Sequence, residues 1–515
     1  MRVKLMLRLA VVMLTCLLLW AALLWLRPAS PLARADPGSL FVVATGTGAA
    51  CSQAQPCGLQ TALAQAVNGD TVYLGAGTYT GGGDAVITIA TSLTLYGGWN
   101  GAPGGPVVRD PHVYTSTVDG ESQRRVVHVD SGTSVTLEGF TVARGMVIGD
   151  GGGLYASGLA LTLRAMTFMS NVITSTEYCW GAGAFVEGGT LLVEASTFRR
   201  NWGFGTSSSY GGGIAISHTL TTTVAGCQFE DNDTWFGCGV DVVGAGRSQT
   251  RFTLTGSTFV NNGRGYSGNP CSGGYAVAIE VSNAHARIEG NTIRGSYGSN
   301  DYGAVAVFAS DLTLTGNLII DNNSGRTAAL YLHSVNPFAV TNNVIAANRM
   351  SSAGSPAVRV IGGSGQFVHN TIACNEGGPG LLIDSGATVW LTDTIIVSHT
   401  LGISVSAGST VTMEGTLWGS GPWANGTDQA GGGAITTGAV NVRGDPAFVD
   451  PAGRDYHIGS FSAAIDAGVN AGVSVDMDGD PRPCGSGYDI GADEYCGPVV
   501  RRFVYLPLVL RAAGR

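Results

Sequence analysis

The chain has 515 residues, of which 79 are glycine and only 12% are charged, with 44% hydrophobic residues and a net charge of −9. It has no lysine after Lys4, so it lacks the clustered cationic surface that nucleic acid requires. In a polar chain so many glycines would indicate disorder, but here they punctuate a repeating apolar pattern and mark turns.

At the N-terminus, Arg2, Lys4 and Arg8 precede an apolar run from Leu9 to Leu26, and Ala33-Arg34-Ala35 stands just before Asp36. This order predicts a signal peptide over 1–35 and an exported, extracellular or cell-surface protein. The run is also close to the ~18 residues of a membrane span, which leaves an uncleaved N-terminal anchor as the alternative. Export permits disulfides. Cys51 with Cys57 and Cys484 with Cys496 are near in sequence and each closes a small loop, while Cys238 and Cys271 stand beside equivalent glycines in adjacent repeats. These are candidate pairs, since spacing alone does not assign connectivity. Leu59, Ala62, Leu63, Ala66 and Val67 share one face at helical spacing, predicting a short amphipathic helix that covers the open end of the domain that follows.

From Leu161 to Gly419 the chain repeats. A large apolar residue recurs at Phe168, Phe198, Phe229, Phe259, Ile293, Ile319, Ile345, Ile372, Ile395 and Leu417, at intervals of 22 to 34 residues. Three positions later stands a short polar side chain, at Asn171, Asn201, Asn232, Asn262, Ser296, Asn322, Asn348, Asn375, Ser398 and Ser420. Between the anchors lie short runs of period two, which read as strands. A repeat of about 22 residues is too short for a strand-helix-strand crossover of ~30 or a propeller blade of about 40–50, but long enough for three short strands. The expected fold is therefore all-β, a right-handed single-stranded parallel β-helix over 36–425 with an N-terminal capping helix. A less regular C-terminal region, 426–497, and a short tail, 498–515, follow. Coiling stacks like residues about 4.8 Å apart, so the anchors form an apolar column and the asparagines a hydrogen-bonded ladder.

Two sets of motifs carry a resemblance. Asn68-Gly-Asp-Thr-Val-Tyr-Leu74, Gly77-Thr-Tyr79, Leu95-Tyr-Gly-Gly-Trp99, Leu137-Glu-Gly-Phe-Thr141 and Gly151-Gly-Gly-Leu154 resemble secreted bacterial right-handed β-helix repeat proteins. That superfamily is pectate-lyase-like and includes polymorphic outer-membrane-protein-like repeats. Asp445-Pro-Ala-Phe448, Asp455-Tyr-His-Ile458, Ala464-Ile-Asp-Ala-Gly468, Asp476-Met-Asp-Gly-Asp-Pro-Arg482 and Asp489-Ile-Gly-Ala-Asp-Glu-Tyr495 resemble the choice-of-anchor Q region of bacterial surface proteins. This second resemblance implies a closing segment near the point of envelope attachment.

A fold that hosts lyases, hydrolases, epimerases and inert surface proteins does not assign a function. Polygalacturonase-like chemistry is excluded, because the chain has no Asp-Asp pair, no Gly-His-Gly and no Arg-x-Lys. Asp110-Pro111-His112 resembles a mannuronan epimerase triplet, but it falls in an irregular N-terminal coil. Asp476, Asp478 and Asp480 alternate as calcium ligands do without the glutamate that closes such a loop, and turn caps account for them equally. Calcium is thus the single candidate ion, and no organic cofactor is expected. The loops after the ladder are unequal, and the long ones gather Tyr178, Trp180, Trp202, Tyr210, Trp235, Tyr266, Tyr297 and Tyr302. Such rings either pack the loops onto the coil or form a partner surface. The leading expectation is a non-catalytic, structural, adhesive or glycan-binding monomer whose partner is an extracellular polysaccharide or cell-surface component. The alternative is a polysaccharide lyase or epimerase acting on uronate polymers.

Overall fold

The computed structural model describes residues 38–175, 177–205, 208–263, 278–298 and 302–497, in two compact units that divide after Thr234. The leader 1–35, Tyr266, Cys271 and the terminal stretch 498–515 lie outside the described residues. Each unit is a parallel β-solenoid. In the first, Ala160–Arg164, Thr167–Met169 and Ala184–Glu187 make one turn, and Thr190–Glu194, Thr197–Arg199 and Ile214–Ser217 make the next. Each strand pairs in parallel with its equivalent, Leu161 beside Leu191, Phe168 beside Phe198 and Ala184 beside Ile214. Three faces result, called first, second and third in chain order. The second unit repeats the plan, for example with Asp311–Thr315, Leu318–Ile320 and Leu330–His333.

The anchors stack as their spacing demands. Phe168, Phe198 and Phe229 are fully buried, with successive ring centroids 4.7 and 5.0 Å apart and nearly parallel. In the second unit the column runs through Ile293, Ile319, Ile345 and Ile372. It then departs from the sequence reading, because Ile372 pairs with Ile396 and Ile396 with Trp418. The inward position has moved by one residue, and Ile395 and Leu417 face the other way. Pairing of period two makes a one-residue shift a change of face, and a continuous triplet such as Ile395-Ile396-Val397 hides which residue points in.

Each corner turns on a residue in left-handed conformation followed by a ladder residue, as at Ser170 and Asn171, Arg200 and Asn201, and Ala347 and Asn348. Such a φ costs a non-glycine residue about 1–2 kcal/mol; the ladder bonds offset it. Asn171 Nδ2 donates to Asn201 Oδ1 and Asn201 Nδ2 to Asn232 Oδ1, both at 2.9 Å. In the second unit, Asn322 donates to Asn348 and Asn348 to Asn375 at 3.0 Å, while the backbone N–H of Ser296 donates to Asn322 Oδ1. Asn262 is likewise fully buried. The last members are His399 and Asn425 rather than Ser398 and Ser420, since Asn375 Nδ2 meets His399 Nε2 at 3.1 Å and the His399 N–H donates to Asn425 Oδ1. His399 follows Ser398 by the same one-residue shift, whereas Asn425 stands five residues after Ser420, beyond the helical turn Gly421–Trp423. A second ladder, at the corner between the first and second faces, runs Asn291, Asn317, Asn343 and Asn370.

The helix spans Leu59–Gln65, with Leu59 and Ala62 buried and Gln60 Nε2 donating to the Val86 carbonyl. It stops short of the predicted face: Ala66 is extended, the Asp70 carboxylate takes the Val67 N–H, and Val67 is 60% exposed. At the other end the three ladders continue past 425 through Thr427–Gly431, Ala434–Thr437 and Asn441–Gly444. That last turn has few apolar residues because it is largely exposed.

Residues from Asp445 onward do not stand at the end of the second unit. They lie along its second face, where Phe448, Tyr456, Ile458, Ala464, Ile490 and Ala492 pack against Ile320, Val344, Ala346, Ala373, Ile395, Val397 and Leu417. Arg454 pairs with Asp321 at 2.6 Å, Asn342 Nδ2 donates to the Val475 carbonyl, and the Ala492 N–H donates to Thr371 Oγ1. The disulfides Cys51–Cys57 and Cys484–Cys496 are formed.

Candidate functional site

The loop rings divide into groups. In the first unit the outward row of the third face is His128, Tyr155 and Phe185 in register. His128 stacks on Tyr155 with centroids 5.3 Å apart, and Tyr155 leans on Phe185 at 5.5 Å. From the loops, Trp180 reaches Phe185 at 6.3 Å and stacks on Tyr210 at 5.4 Å, while Tyr178 closes on both at 6.2 Å. A continuous column of rings results, in which Tyr178 is 62% exposed and Phe185 is buried. Polar groups border it. The Arg125 guanidinium sits over Tyr155, donates to the Gly151 and Asp150 carbonyls and lies 3.4 Å from His128 Nδ1, while His128 Nε2 is 3.1 Å from Asp130. The two backbone carbonyls hold Arg125 as a positioned cation.

Other sequence candidates among the described residues have neighbours of their own. Trp202 leans on Phe204, which is 50% exposed. In the second unit Tyr302 packs on Phe308 and Tyr331, Tyr297 bridges to Asn323 through its backbone, and Trp235 is half-buried. Packing of loops onto the coil thus accounts for Tyr302, and for Trp180 in part. Tyr178 is a ring that packing leaves open.

The sequence reading missed two acidic sites. Asp241 and Glu280 are register partners on the third face of the second unit, and Asp241 Oδ2 and Glu280 Oε2 are buried without a hydrogen-bond partner among the described residues. Burial pushes Asp241 up to about 7; burial and the Asp241 charge push Glu280 well above the usual carboxylate range. Their signal was an acid in the middle of apolar triplets, Val240-Asp241-Val242 and Ile279-Glu280-Val281. The second site is His369 and Asp393, both fully buried under the C-terminal region and 3.5 Å apart. Burial drives both toward neutrality, His369 down to about 3 and Asp393 up to about 7. His369 Nδ1 faces the Asp489 carbonyl at 3.2 Å and therefore donates, while Nε2 and Asp393 Oδ2, 3.5 Å apart, are buried without a hydrogen-bond partner among the described residues.

The proposed calcium set is divided among other partners. Asp476 is buried; its Oδ1 accepts the N–H groups of Asp478 and Asp480, and its Oδ2 that of Glu494. Asp478 instead meets His457 Nε2 at 2.7 Å, with Asp455 on Nδ1 at 2.5 Å and Asp493 close by. Burial opposes protonation of His457, but bonds to Asp455 and Asp478 and the charge of Asp493 outweigh it and raise the ring to about 9. When His457 is protonated, both ring nitrogens donate to these carboxylates.

These groups set the pH dependence of stability. Asp241 and Asp393 rise to about 7 and His457 to about 9, above unfolded values of roughly 3.9 and 6.5. In each case the folded chain holds the proton more tightly. The stabilisation is complete below the unfolded pKa and is lost as pH rises through the folded one. His369 and His399, lowered by burial to about 3 and about 4, act in the opposite sense, but only below about pH 6.5. Stability should therefore fall from about pH 6.5 to 9 by on the order of 2 kcal/mol, with the His457 share discounted for its exposure. Denaturation midpoints at the two pH values test this, and unchanged midpoints would contradict it.

The sequence pattern of the family described as right handed beta helix region matches residues 116–298 and 267–418, more than half of the 515 residues. The chain belongs to that right-handed β-helix family. Among curated proteins none matches it. Solved structures similar to it include the pectate lyase Pel9A, 14% identical over 90% of this chain and 98% of that one, with a TM-score of 0.35. The periplasmic alginate epimerase AlgG is 10% identical over 68% and 78%, at 0.35, and the Dettilon tailspike protein 14% identical over 79% and 72%, at 0.27. These likenesses are too distant to bear on activity.

Proposed function

We propose that this is an exported protein of the cell surface or extracellular space that binds glycan without transforming it, along the ring column of the first unit. The reading is supported by one observation: His128, Tyr155, Phe185, Trp180, Tyr210 and Tyr178 form a continuous series of rings ending in an exposed tyrosine. The faces of sugar rings present C–H bonds that suit the negative face of an aromatic ring. In this reading 1–35 directs export or anchors the chain, the helix Leu59–Gln65 caps the coil, 426–497 is a choice-of-anchor Q-like region whose part from Asp445 lies along the second face, and the protein acts as a monomer.

Tyr178→Ala is expected to leave stability within about 0.5 kcal/mol and to weaken retention on an immobilised-polysaccharide panel about tenfold. Trp180→Ala should lower both, because its ring also packs on Phe185. Retention unchanged by Tyr178→Ala would remove the column as a binding surface.

The enzymatic alternative, a lyase or epimerase of uronate polymers, draws support from Asp241 and Glu280. A carboxyl kept neutral near pH 7 can hydrogen-bond a uronate carboxylate and ease removal of the adjacent proton by a neighbouring base. Incubation with uronate polymers, with absorbance of unsaturated products or a change of uronate composition as readout, decides for this alternative if product forms and Asp241→Asn abolishes it.

A further inference from the structure

The second unit carries a cavity of about 370 Å3 on the outer side of its first face, within the roughly 300–1,000 Å3 of ligand pockets. Register builds it. Thr313, Ala339, Gln366 and Trp390 occupy one outward row on four successive turns. Ala339 is the small member, so a depression opens between Thr313 and Gln366, with Trp390 as the next wall. A second row supplies the polar edge: His285 and Asp311 are register partners joined by a hydrogen bond, and beyond Pro337 stands Ser364, whose hydroxyl donates to Asn336. Trp390 is 49% exposed although it has the largest apolar side chain on this face. Unlike Trp180 it has no aromatic neighbour among the described residues, so no ring packing accounts for it.

We infer that this cavity is a binding site for a neutral hexopyranose unit of a saccharide chain, an inference that rests on the glycan-binding reading and adds a second site with a defined ligand class. Trp390 offers a flat apolar face for one side of the sugar ring. Gln366, Thr313, Ser364 and the His285–Asp311 pair offer donors and acceptors for its hydroxyls. The lining itself disfavours a uronate: none of the lining residues is Arg or Lys, and Asp311 would face the uronate carboxylate. Of the cations nearby, the exposed Arg251 stands one turn beyond the lining as the register partner of His285, and two others are committed. Arg287 pairs with Glu289 at 2.8 Å, and Arg247 donates to the Ala309, Asn336 and Ser334 carbonyls. In holding those carbonyls Arg247 also fixes the two turns that form the polar edge.

The test is calorimetric titration of the whole protein with gluco-, galacto- and manno-configured neutral tetrasaccharides and with tetragalacturonate. A neutral tetrasaccharide is expected to bind, to lose at least tenfold affinity in Trp390→Ala, and to recover part of it in Trp390→Phe, which restores a ring. Leu220→Ala, at an exposed residue that belongs to neither site, should leave this affinity unchanged. Neutral binding lost in Tyr178→Ala but kept in Trp390→Ala would overturn the second site and leave the ring-column reading intact. Trp390-dependent binding of tetragalacturonate would overturn the ligand class. No binding of any neutral tetrasaccharide would overturn the inference, and retention on the polysaccharide panel would then show whether the glycan-binding reading survives it.

Discussion

Arg482→Leu is expected to destabilise the C-terminal region by about 3–5 kcal/mol, the usual cost of leaving half of a buried ion pair unpaired. The side chains of Arg482 and Glu494 are fully buried and meet at 2.8 Å. The same guanidinium donates to the Asp489, Gly491 and Ala492 carbonyls, and the second Glu494 oxygen accepts the Cys484 N–H. Burial pulls Arg482 below its ordinary pKa, and the nearby carboxylates only partly restore it. The guanidinium therefore ties residues 482–484 to 489–494 in a region that has few strands of its own. The double variant Arg482→Met/Glu494→Leu should recover the part due to the stranded carboxylate, yet remain about 1–3 kcal/mol below the native protein because the carbonyls stay unbonded. Urea denaturation of the three proteins measures both steps, and limited proteolysis should cut first between 445 and 497. A single variant as stable as the native protein would mean that water already reaches the pair.

Asn201→Ala should cost the coil about 3 kcal/mol, at the top of the range for buried unsatisfied polar groups. Asn201 Oδ1 accepts both the backbone and side-chain N–H of Asn171, and its Nδ2 donates to the Phe168 carbonyl and to Asn232 Oδ1. One truncation thus takes this partner from the two Asn171 donors and the Phe168 carbonyl, while Asn232 Oδ1 keeps the Asn201 backbone N–H. Asn201→Asp separates hydrogen bonding from volume. It keeps the shape and the accepting oxygen, but it points a second oxygen at the Phe168 carbonyl and Asn232 Oδ1, two acceptors, in a site with no exposure. The aspartate variant should be no more stable than the alanine variant near pH 7 and should improve as pH falls and the carboxyl gains a proton. If aspartate matched asparagine in thermal denaturation, the ladder would be solvated.

The interior of this protein was legible in the sequence because stacking repeats like on like: Phe168, Phe198 and Phe229, and Asn171, Asn201 and Asn232, are in phase in the chain and therefore in space. The second ladder was equally periodic at Asn291, Asn317, Asn343 and Asn370, but Ser196 and Cys227 stand earlier at that corner and conceal it. A further signal can be read once its cause is known. Second-face strands open to water alternate, as Thr197-Phe198-Arg199 and Gln228-Phe229-Glu230 do, whereas Leu318-Ile319-Ile320, Val344-Ile345-Ala346 and Ile395-Ile396-Val397 are apolar throughout. Strands apolar on both sides are covered on both sides, and the cover is the C-terminal region.

Period alone determined the fold class, the three-strand turn, the apolar column and most of the first ladder, since each depends only on what recurs one turn later. Tertiary structure alone decided where the non-repeating parts go. It laid 445–497 along the second face, moved the inward position to Ile396 and Trp418, and buried His369 with Asp393. It also brought Trp180 onto Phe185 with Tyr210 and Tyr178 against Trp180, and opened a cavity between Thr313 and Trp390. The physical reason is the same in each case. A loop ring, a tail carboxylate and an outward side chain have no equivalent one turn away, so their positions follow from packing against other parts of the chain and not from the repeat.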